Sequence, residues 1–195
     1  MKDYRNFKGN LIHKTAIINW KNLIIGKGNT VGPYVLIGND PQHPSSKPLG
    51  KVIIGNNNII REFVRINLPT KLKKKTKISN NCYIMSGSII DHDCFIENNV
   101  IFASNVILGG NVYIMQKSQL GIAASIHQNQ VVGSYTMIGM RCVITKQNLI
   151  YPGYTYVGNP AKKLKKNLFG LSRNNIKKTK LANETIRFKK LRKDW

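Results

Sequence analysis

The strongest constraint on the fold is a run of apolar residues that recurs at every sixth position from Ile78 to Tyr156. An α-helix has a period of 3.6 residues and a strand a period of two, and neither would single out every sixth residue. Short internal repeats of this kind are typical of solenoids, and a hexapeptide repeat is typical of a parallel β-helix. The fourteen positions are Ile78, Ile84, Ile90, Ile96, Phe102, Leu108, Ile114, Leu120, Ile126, Val132, Ile138, Ile144, Ile150 and Tyr156.

A second register lies two residues before the first and contains mostly small or β-branched side chains, from Thr76 to Cys142. A bulky residue paired with a small one suits a short strand followed by a tight corner. Three such units would close a triangular coil of eighteen residues. By resemblance to that geometry, we predict an all-β fold: a left-handed parallel β-helix of hexapeptide repeats with a short C-terminal α-helical segment.

The same patterns predict how the chain is divided. We expect the β-helix to occupy residues 1–160, with loop insertions at 39–51 and 67–77, and a basic helical segment at 161–195. Within that segment, a turn and short helix are expected over Ala161–Arg173 and an amphipathic helix over Thr179–Trp195. We expect the tail to cover the open strand edges at the end of the β-helix. Glycines that follow aliphatic residues, in Ile25-Gly26, Val31-Gly32 and Ile37-Gly38, suggest corners with positive φ.

The charge of the chain predicts an anionic partner. Its 31 Lys and Arg residues against 8 Asp and Glu give a formal net charge of +23. Nucleic acid, an acidic membrane surface, a phosphorylated small molecule and an acidic carrier protein all fit, and charge alone does not choose among them. No aromatic stacking platform is interleaved with the lysines, which argues against nucleic acid.

Other bulk features predict a soluble, cytoplasmic protein. The sequence has no run of about 18 apolar residues, and its first residues lack the apolar centre of a signal peptide. The three cysteines, Cys82, Cys94 and Cys142, fall in the small-residue register and are expected to be core residues. Four scattered histidines do not supply a metal triad, so no metal is expected.

His92 is the strongest candidate for chemistry. It lies between Asp91 and Asp93 at a predicted corner, and histidine, with a reference pKa of about 6.5, suits proton transfer near neutrality. An eighteen-residue coil would stack His92, Gly110 and Gln128 about 4.8 Å apart. The Gly110 N–H would then lie at the right distance from a base to hold an oxyanion.

Several segments resemble the UDP-N-acetylglucosamine acyltransferase of lipid A biosynthesis, in the same order from about Ile12 to Arg173. These segments are Asp40-Pro41-Gln42, Ile59-Ile60-Arg61-Glu62, Ile90-Asp91-His92-Asp93-Cys94, Ile126-His127-Gln128, and Asn167 with Gly170-Leu171-Ser172-Arg173. The His-Asp-Cys and His-Gln motifs in this spacing are fairly specific to that family, whereas the hexapeptide repeat alone is not.

The resemblance implies a homotrimer with active sites in the clefts between subunits. The reaction would move a 3-hydroxyacyl chain from acyl carrier protein, which carries it on phosphopantetheine, to the 3-hydroxyl of UDP-N-acetylglucosamine or a related UDP-sugar. By the same resemblance, His92 is the catalytic base, Asp93 supports its imidazole, and the Gly110 N–H holds the oxyanion. This is a step of lipopolysaccharide synthesis, and a transient contact with the membrane surface would suit it.

The resemblance also implies a set of substrate-binding residues, with Met140 at the position that limits acyl length. The set is His43, Lys47, Asn111, His127, Gln128, Met140, Asn167 and Arg173. Some positions depart from the family pattern. Ile89 and Asn111 replace histidines, Phe169 replaces an acid, and His43 stands where an acid is usual.

Two other functions stay open at this stage. An acetyl-coenzyme A-dependent N-acetyltransferase of a nucleotide-linked amino sugar would keep the fold and change the donor. A non-enzymatic trimer that binds an anionic polymer or membrane would use only the charge. Donor preference separates the first alternative from the O-acyltransferase, and salt-sensitive binding with little selectivity would mark the second.

Overall fold

The computed structural model describes residues 3–44 and 50–195, and over these ranges the chain winds three β-sheets around one core. Sheet A has the order β1 (Tyr4–Phe7), β2 (Asn10–His13), β5 (Thr30–Val31), β8 (Ile59–Ile60), β11 (Tyr83–Ile84), β14 (Ile101–Phe102), β17 (Gln119–Leu120), β20 (Met137–Ile138), β22 (Tyr154–Val157), β23 (Lys162–Lys166). Sheet B has the order β3 (Ile17–Ile18), β6 (Leu36–Asn39), β9 (Arg65–Asn67), β12 (Ile89–Ile90), β15 (Ile107–Leu108), β18 (Ser125–Ile126), β21 (Val143–Ile144). Sheet C has the order β4 (Leu23–Ile25), β7 (Lys51–Ile54), β10 (Lys75–Ile78), β13 (Phe95–Ile96), β16 (Tyr113–Ile114), β19 (Val131–Val132). The helices are a 3-10 turn at Trp20–Asn22, α1 at Leu168–Arg173 and α2 at Lys178–Asp194.

Strand register confirms the eighteen-residue coil. In sheet C, Ile78 pairs with Ile96 and Ile96 with Ile114, in parallel. The chain visits sheets A, B and C in turn, so each coil has three corners, and stacked corners form three edges. We call them the A–B edge (85–88, 103–106, 121–124, 139–142), the B–C edge (91–94, 109–112, 127–130) and the C–A edge (97–100, 115–118, 133–136).

Both sequence registers fill the core. All fourteen residues of the bulky register are buried, none more than 3% exposed, and the small register from Thr76 to Cys142 is buried as well. The polar members find partners inside: the Ser118 hydroxyl, for example, donates to the Gly133 carbonyl at 2.7 Å. Truncating a packed core Ile or Leu to Ala typically costs about 2–5 kcal/mol, so the repeat specifies the fold strongly.

Each corner turns through one residue in the left-handed region, and these residues also recur every six positions. Examples are Asn81, Gly87, Asp93 and Asn99, with φ between 56° and 68°. The prediction of positive φ is confirmed for Gly38, with φ 84°, but is wrong for Gly26 and Gly32, because there the left-handed residue lies three positions after the aliphatic one. These two glycines instead allow close approach of the next coil: a Cβ on Gly32 would lie 2.9 Å from the Glu62 nitrogen.

Antiparallel strands close both ends of sheet A. Strand β1 pairs with β2 at one end, and β23 pairs with β22 at the other. The prediction that Ala161–Arg173 is only a turn and short helix is therefore wrong, since a strand precedes α1. The expected tail helix is present as α2, which packs on the outer face of sheet C beside its last strand, β19.

Packing and charge together hold α2 on sheet C. Phe188 is 1% exposed and packs with Tyr113 and Val131. The Arg187 guanidinium pairs with Glu97 and, at 3.3 Å, with Glu184. These contacts fix the path of the tail along the sheet. No helix in residues 3–44 and 50–195 is long and apolar enough to cross a membrane.

The buried cysteines lead to a prediction about thiol reactivity. Burial raises the pKa of Cys82 and Cys142 to about 11 and that of Cys94 to about 12. Only the thiolate is nucleophilic, and at pH 8 these groups stay protonated and enclosed. We expect Ellman's reagent to titrate none of the three thiols in the native protein and all three after denaturation. Rapid reaction of even one native thiol would contradict this packing.

Candidate active site

The B–C edge brings together three residues that are far apart in sequence. Parallel pairing of β12, β15 and β18 places Ile90, Leu108 and Ile126 side by side. Two positions further on, His92, Gly110 and Gln128 therefore stack on successive coils. The Asn111 N–H donates to the His92 carbonyl at 2.8 Å, and the Asn129 N–H donates to the Gly110 carbonyl at 3.0 Å. These bonds place the three residues where the predicted coil put them.

His92 and Asp93 form a largely buried hydrogen-bonded pair on this edge. The His92 Nδ1 lies 2.8 Å from the Asp93 Oδ2, and the two side chains are 12% and 3% exposed. Asp93 occupies the left-handed corner position, with φ 62°, which turns its side chain back toward its own neighbour. Thr70 also holds this carboxylate, through its hydroxyl at 2.7 Å and its N–H at 3.3 Å.

The charge of Asp93 determines which nitrogen of His92 carries a proton. Burial opposes the charge of Asp93, but hydrogen bonds from His92 and Thr70, with the Lys74 charge, outweigh it and hold the pKa of Asp93 below its ordinary value. An ionised carboxylate can only accept hydrogen bonds. The Nδ1 must therefore donate, which leaves the lone pair of the neutral ring on Nε2. That arrangement suits His92 as a general base.

Gly110 leaves room for the imidazole. A Cβ built on Gly110 would lie 2.1 Å from the His92 Cε1 and 2.2 Å from its Nε2, so no other residue fits without moving the ring. Among the residues that the structure describes, none accepts a hydrogen bond from the Gly110 N–H. A buried backbone donor without a protein acceptor beside a base is a suitable oxyanion donor.

The first loop reaches the same edge. The His43 ring lies edge-on to the His92 ring, with centroids 5.8 Å apart. Asp91 accepts from the buried Asn67 amide at 2.8 Å and from the Gln42 N–H at 3.4 Å, which ties the loop to the corner. Lys47, the other residue predicted from this loop, lies outside the described residues.

The remaining B–C edge residues lie on the next two coils, Asn111 beside Gly110 and His127 beside Gln128. The Asn111 side chain donates to Asn129 at 2.8 Å, and the His127 Nδ1 lies 2.8 Å from the Gln128 carbonyl. His127 and Gln128 are exposed and line a pocket of about 280 Å³. Sequence reasoning missed the residue that closes this pocket, Trp195, because its place depends on how the tail packs.

Met140, Asn167 and Arg173 do not join the His92 cluster within one chain. Met140 lies on the A–B edge and is 69% exposed. Asn167 lies beside the C–A edge, where its side chain donates to the Tyr135 carbonyl at 3.0 Å and accepts from the Gly170 N–H at 3.1 Å. Arg173 lines a separate pocket with Tyr83 and Lys117. The structure of one chain therefore does not bring these three predicted residues to the His92–Asp93 pair.

The residues of the B–C edge do not resemble a metal centre. In the described part of the chain, no group of three or more His, Cys, Asp and Glu side chains is placed to hold a metal ion. Acid–base chemistry by His92 and Asp93, with Gly110 as donor, is what the arrangement can perform.

The fold and this edge define a left-handed parallel β-helix protein of the hexapeptide-repeat class, and comparison with known proteins identifies the family. The Bacteroides fragilis UDP-N-acetylglucosamine acyltransferase structure is 32% identical, with a TM-score of 0.82 over 90% of this chain and 68% of that one. The Campylobacter jejuni UDP-N-acetylglucosamine acyltransferase structure is 32% identical, with a TM-score of 0.71 over 93% of this chain and 75% of that one. The chain belongs to the UDP-N-acetylglucosamine acyltransferase family, as the motifs predicted.

A curated relative agrees with the structures. The acyl-[acyl-carrier-protein]–UDP-N-acetylglucosamine O-acyltransferase of Gloeothece citriformis is 32% identical over 159 residues, which is 81% of this chain. The chain spans 57% of the length of that relative. No protein-family model matches the chain.

The contact between His92 and Asp93 leads to a prediction for Gly110→Ala. The added methyl group should displace the imidazole and break its hydrogen bond to Asp93, so the pKa of Asp93 should rise toward its ordinary value of 3.8. A lowered carboxylate pKa stabilises the fold above the unfolded-state pKa, and this contribution is lost as pH falls through the folded-state pKa.

Carbon-13 titration of the Asp93 carboxyl would measure the change. Gly110→Ala should lose the part of the stability that comes from the lowered Asp93 pKa. This difference from the wild-type protein should be full at pH 7 and should vanish at a pH low enough to protonate Asp93 in both proteins. An unchanged Asp93 pKa in Gly110→Ala would contradict the packing described here.

Proposed function

We propose that the protein transfers a 3-hydroxyacyl chain from acyl carrier protein to the 3-hydroxyl of UDP-N-acetylglucosamine or a related UDP-sugar. The observation that carries this proposal is the His92–Asp93 pair, packed against the bare Cα of Gly110, whose N–H finds no acceptor among the described residues. A base and an oxyanion donor one coil apart are what acyl transfer to a hydroxyl requires. The names of the relatives support this donor and acceptor over acetyl-coenzyme A and an amino sugar.

The proposed chemistry uses only these groups. The Nε2 of His92 takes the proton of the acceptor hydroxyl while its Nδ1–H stays on Asp93, which stabilises the imidazolium. The hydroxyl oxygen attacks the thioester carbonyl, and the Gly110 N–H donates to the oxyanion. When the intermediate collapses, the carbon–sulfur bond breaks and the imidazolium returns its proton to the departing phosphopantetheine thiolate. The products are the sugar ester and free carrier thiol, and His92 is neutral again.

A homotrimer would assemble the rest of the site. The predicted residues divide between edges of one prism, with His92 on the B–C edge and Met140 on the A–B edge. The A–B edge carries the exposed Ile122, and its continuation into the earlier coils, between β5 and β6 and between β8 and β9, carries the stacked Tyr34 and Phe63, with centroids 5.3 Å apart. If this edge lies beside the B–C edge of a neighbour, the heterologous contact can close into a ring of three. Asn167 and Arg173 would then contribute to nucleotide or phosphopantetheine binding from a neighbouring subunit.

The surface charge supports the proposed partners. A net charge of +23 suits an acidic carrier protein and a pyrophosphate-bearing acceptor, and nucleic acid is not part of the proposal. We place the reaction in the cytoplasm, at a step of lipopolysaccharide synthesis, with transient contact at the membrane surface.

Met140 would set the length of the acyl chain. Its side chain projects into solvent from the A–B edge, where a neighbour's groove would meet it. A long side chain there should block the end of the groove and favour a shorter chain than glycine would.

The direct test uses purified protein, UDP-N-acetylglucosamine and a panel of 3-hydroxyacyl carrier proteins, with products read by mass spectrometry. We expect an ester of one defined, short chain length. His92→Ala should lower kcat by at least about 100-fold because it removes the base.

The matched control is His13→Ala, since His13 hydrogen-bonds Thr15 far from the B–C edge. This variant should keep full activity. Product from acetyl-coenzyme A and an amino-sugar nucleotide, with none from any 3-hydroxyacyl carrier, would reject the proposal. An active His92→Ala enzyme would reject the mechanism.

A further inference from the structure

A groove of about 450 Å³ opens beside Asp93, on the sheet C side of the B–C edge. Three consecutive lysines, Lys73, Lys74 and Lys75, form one side of it, and Trp195 forms the other. The groove shares Asp93 and Asn111 with the B–C edge, but its lysines and Trp195 have no role in the site described above.

The lysine side of the groove is fixed to the catalytic pair. Thr70, at the base of the loop, donates to both oxygens of the Asp93 carboxylate. The loop then turns through a bond from the Lys74 N–H to the Lys71 carbonyl at 3.0 Å. Lys74 is close enough for its charge to act on Asp93. One carboxylate therefore orients both His92 and the loop.

The opposite wall is aromatic and is also anchored. The Trp195 indole N–H donates to the Asn111 carbonyl at 2.6 Å, and its ring meets Tyr113 edge-on at 4.9 Å. Tyr113 in turn stacks on Phe95 at 4.8 Å. The residue that anchors Trp195, Asn111, lies one coil from Asp93, which is about 4.8 Å along the edge.

The charges in the groove favour an anion. Among the lining side chains, three ammonium groups face two carboxylates, Asp93 and Asp194, and the Asp93 carboxylate is already engaged by His92 and Thr70. Lysine ammonium groups bind phosphate as point charges. The aromatic wall suits the less polar part of the same molecule.

We propose that this groove is a subsite for a phosphate-bearing arm of a substrate, with Lys73 and Lys75 as its ligands and Trp195 as its wall. The inference rests on the proposed function, in which both substrates carry phosphate. The arm is either the pyrophosphate of the sugar nucleotide or the phosphodiester end of phosphopantetheine. Asp194 opposes the anion and limits its affinity.

Trp195 itself can report binding. The chain has two tryptophans. Trp20 packs against Phe7 with tilted rings and centroids 4.3 Å apart, so Trp20→Phe should keep that contact and leave Trp195 as the sole indole. Its fluorescence would be titrated with UDP against uridine, and with 4′-phosphopantetheine against pantetheine. We expect one of the two phosphorylated probes to quench the Trp195 fluorescence. It should do so at a much lower concentration than its phosphate-free counterpart. The probe that does so identifies the arm.

Paired variants test the ligands. Lys73→Gln with Lys75→Gln should weaken the Kd of that probe about tenfold, which corresponds to about 1.4 kcal/mol. Lys162→Gln with Lys165→Gln, an exposed pair on β23 with the same charge change, should leave it unaltered. Asp194→Asn should have the opposite effect and tighten binding.

Two results would overturn the proposal: no dependence of quenching on phosphate, or equal weakening by the two lysine pairs. Steady-state kinetics of acyl transfer, measured in the Trp20→Phe variant, separates this proposal from the proposed function. Phosphate-dependent binding without acyl transfer would support the subsite and reject the reaction. Acyl transfer with an unchanged KM in the Lys73, Lys75 variant would reject the subsite alone.

Discussion

The parallel register of i with i+18 is the constraint on which the rest of the structure depends. It places every sixth side chain in the core and stacks equivalent corners into straight edges. The edge that carries the site is as regular as the core, and its spacing is set by backbone hydrogen bonds. The register alone therefore places His92 on one coil beside Gly110 on the next, and no loop insertion is needed to bring the two residues together.

Asp93 orients the side chains that make the B–C edge a candidate active site. Its left-handed backbone turns the carboxylate toward His92, and Thr70 holds the same carboxylate from the second loop. The hydrogen bonds keep it charged in spite of burial. The imidazole, the lysine loop and the groove beside them all depend on this one side chain.

The sequence predicted the parts that the repeat determines. His92, Gly110 and Gln128 could be stacked in advance because a parallel coil fixes spacing by counting residues. Strand β23 was missed because Lys162–Lys166 has little β-propensity, and it forms by pairing with the open edge of β22. The position of Trp195 was missed because contacts such as Arg187 with Glu97, ninety residues apart, decide the path of α2.

The central claim is that ionised Asp93 holds the proton of His92 on Nδ1 and leaves Nε2 free to act as a base. Nitrogen-15 NMR of the imidazole rings tests it most directly, because the chain has only four histidines and a His92→Ala spectrum would assign the signal. With the ring neutral, the account predicts an Nδ1–H tautomer that is lost in Asp93→Asn. A native His92 with its proton on Nε2 would contradict it.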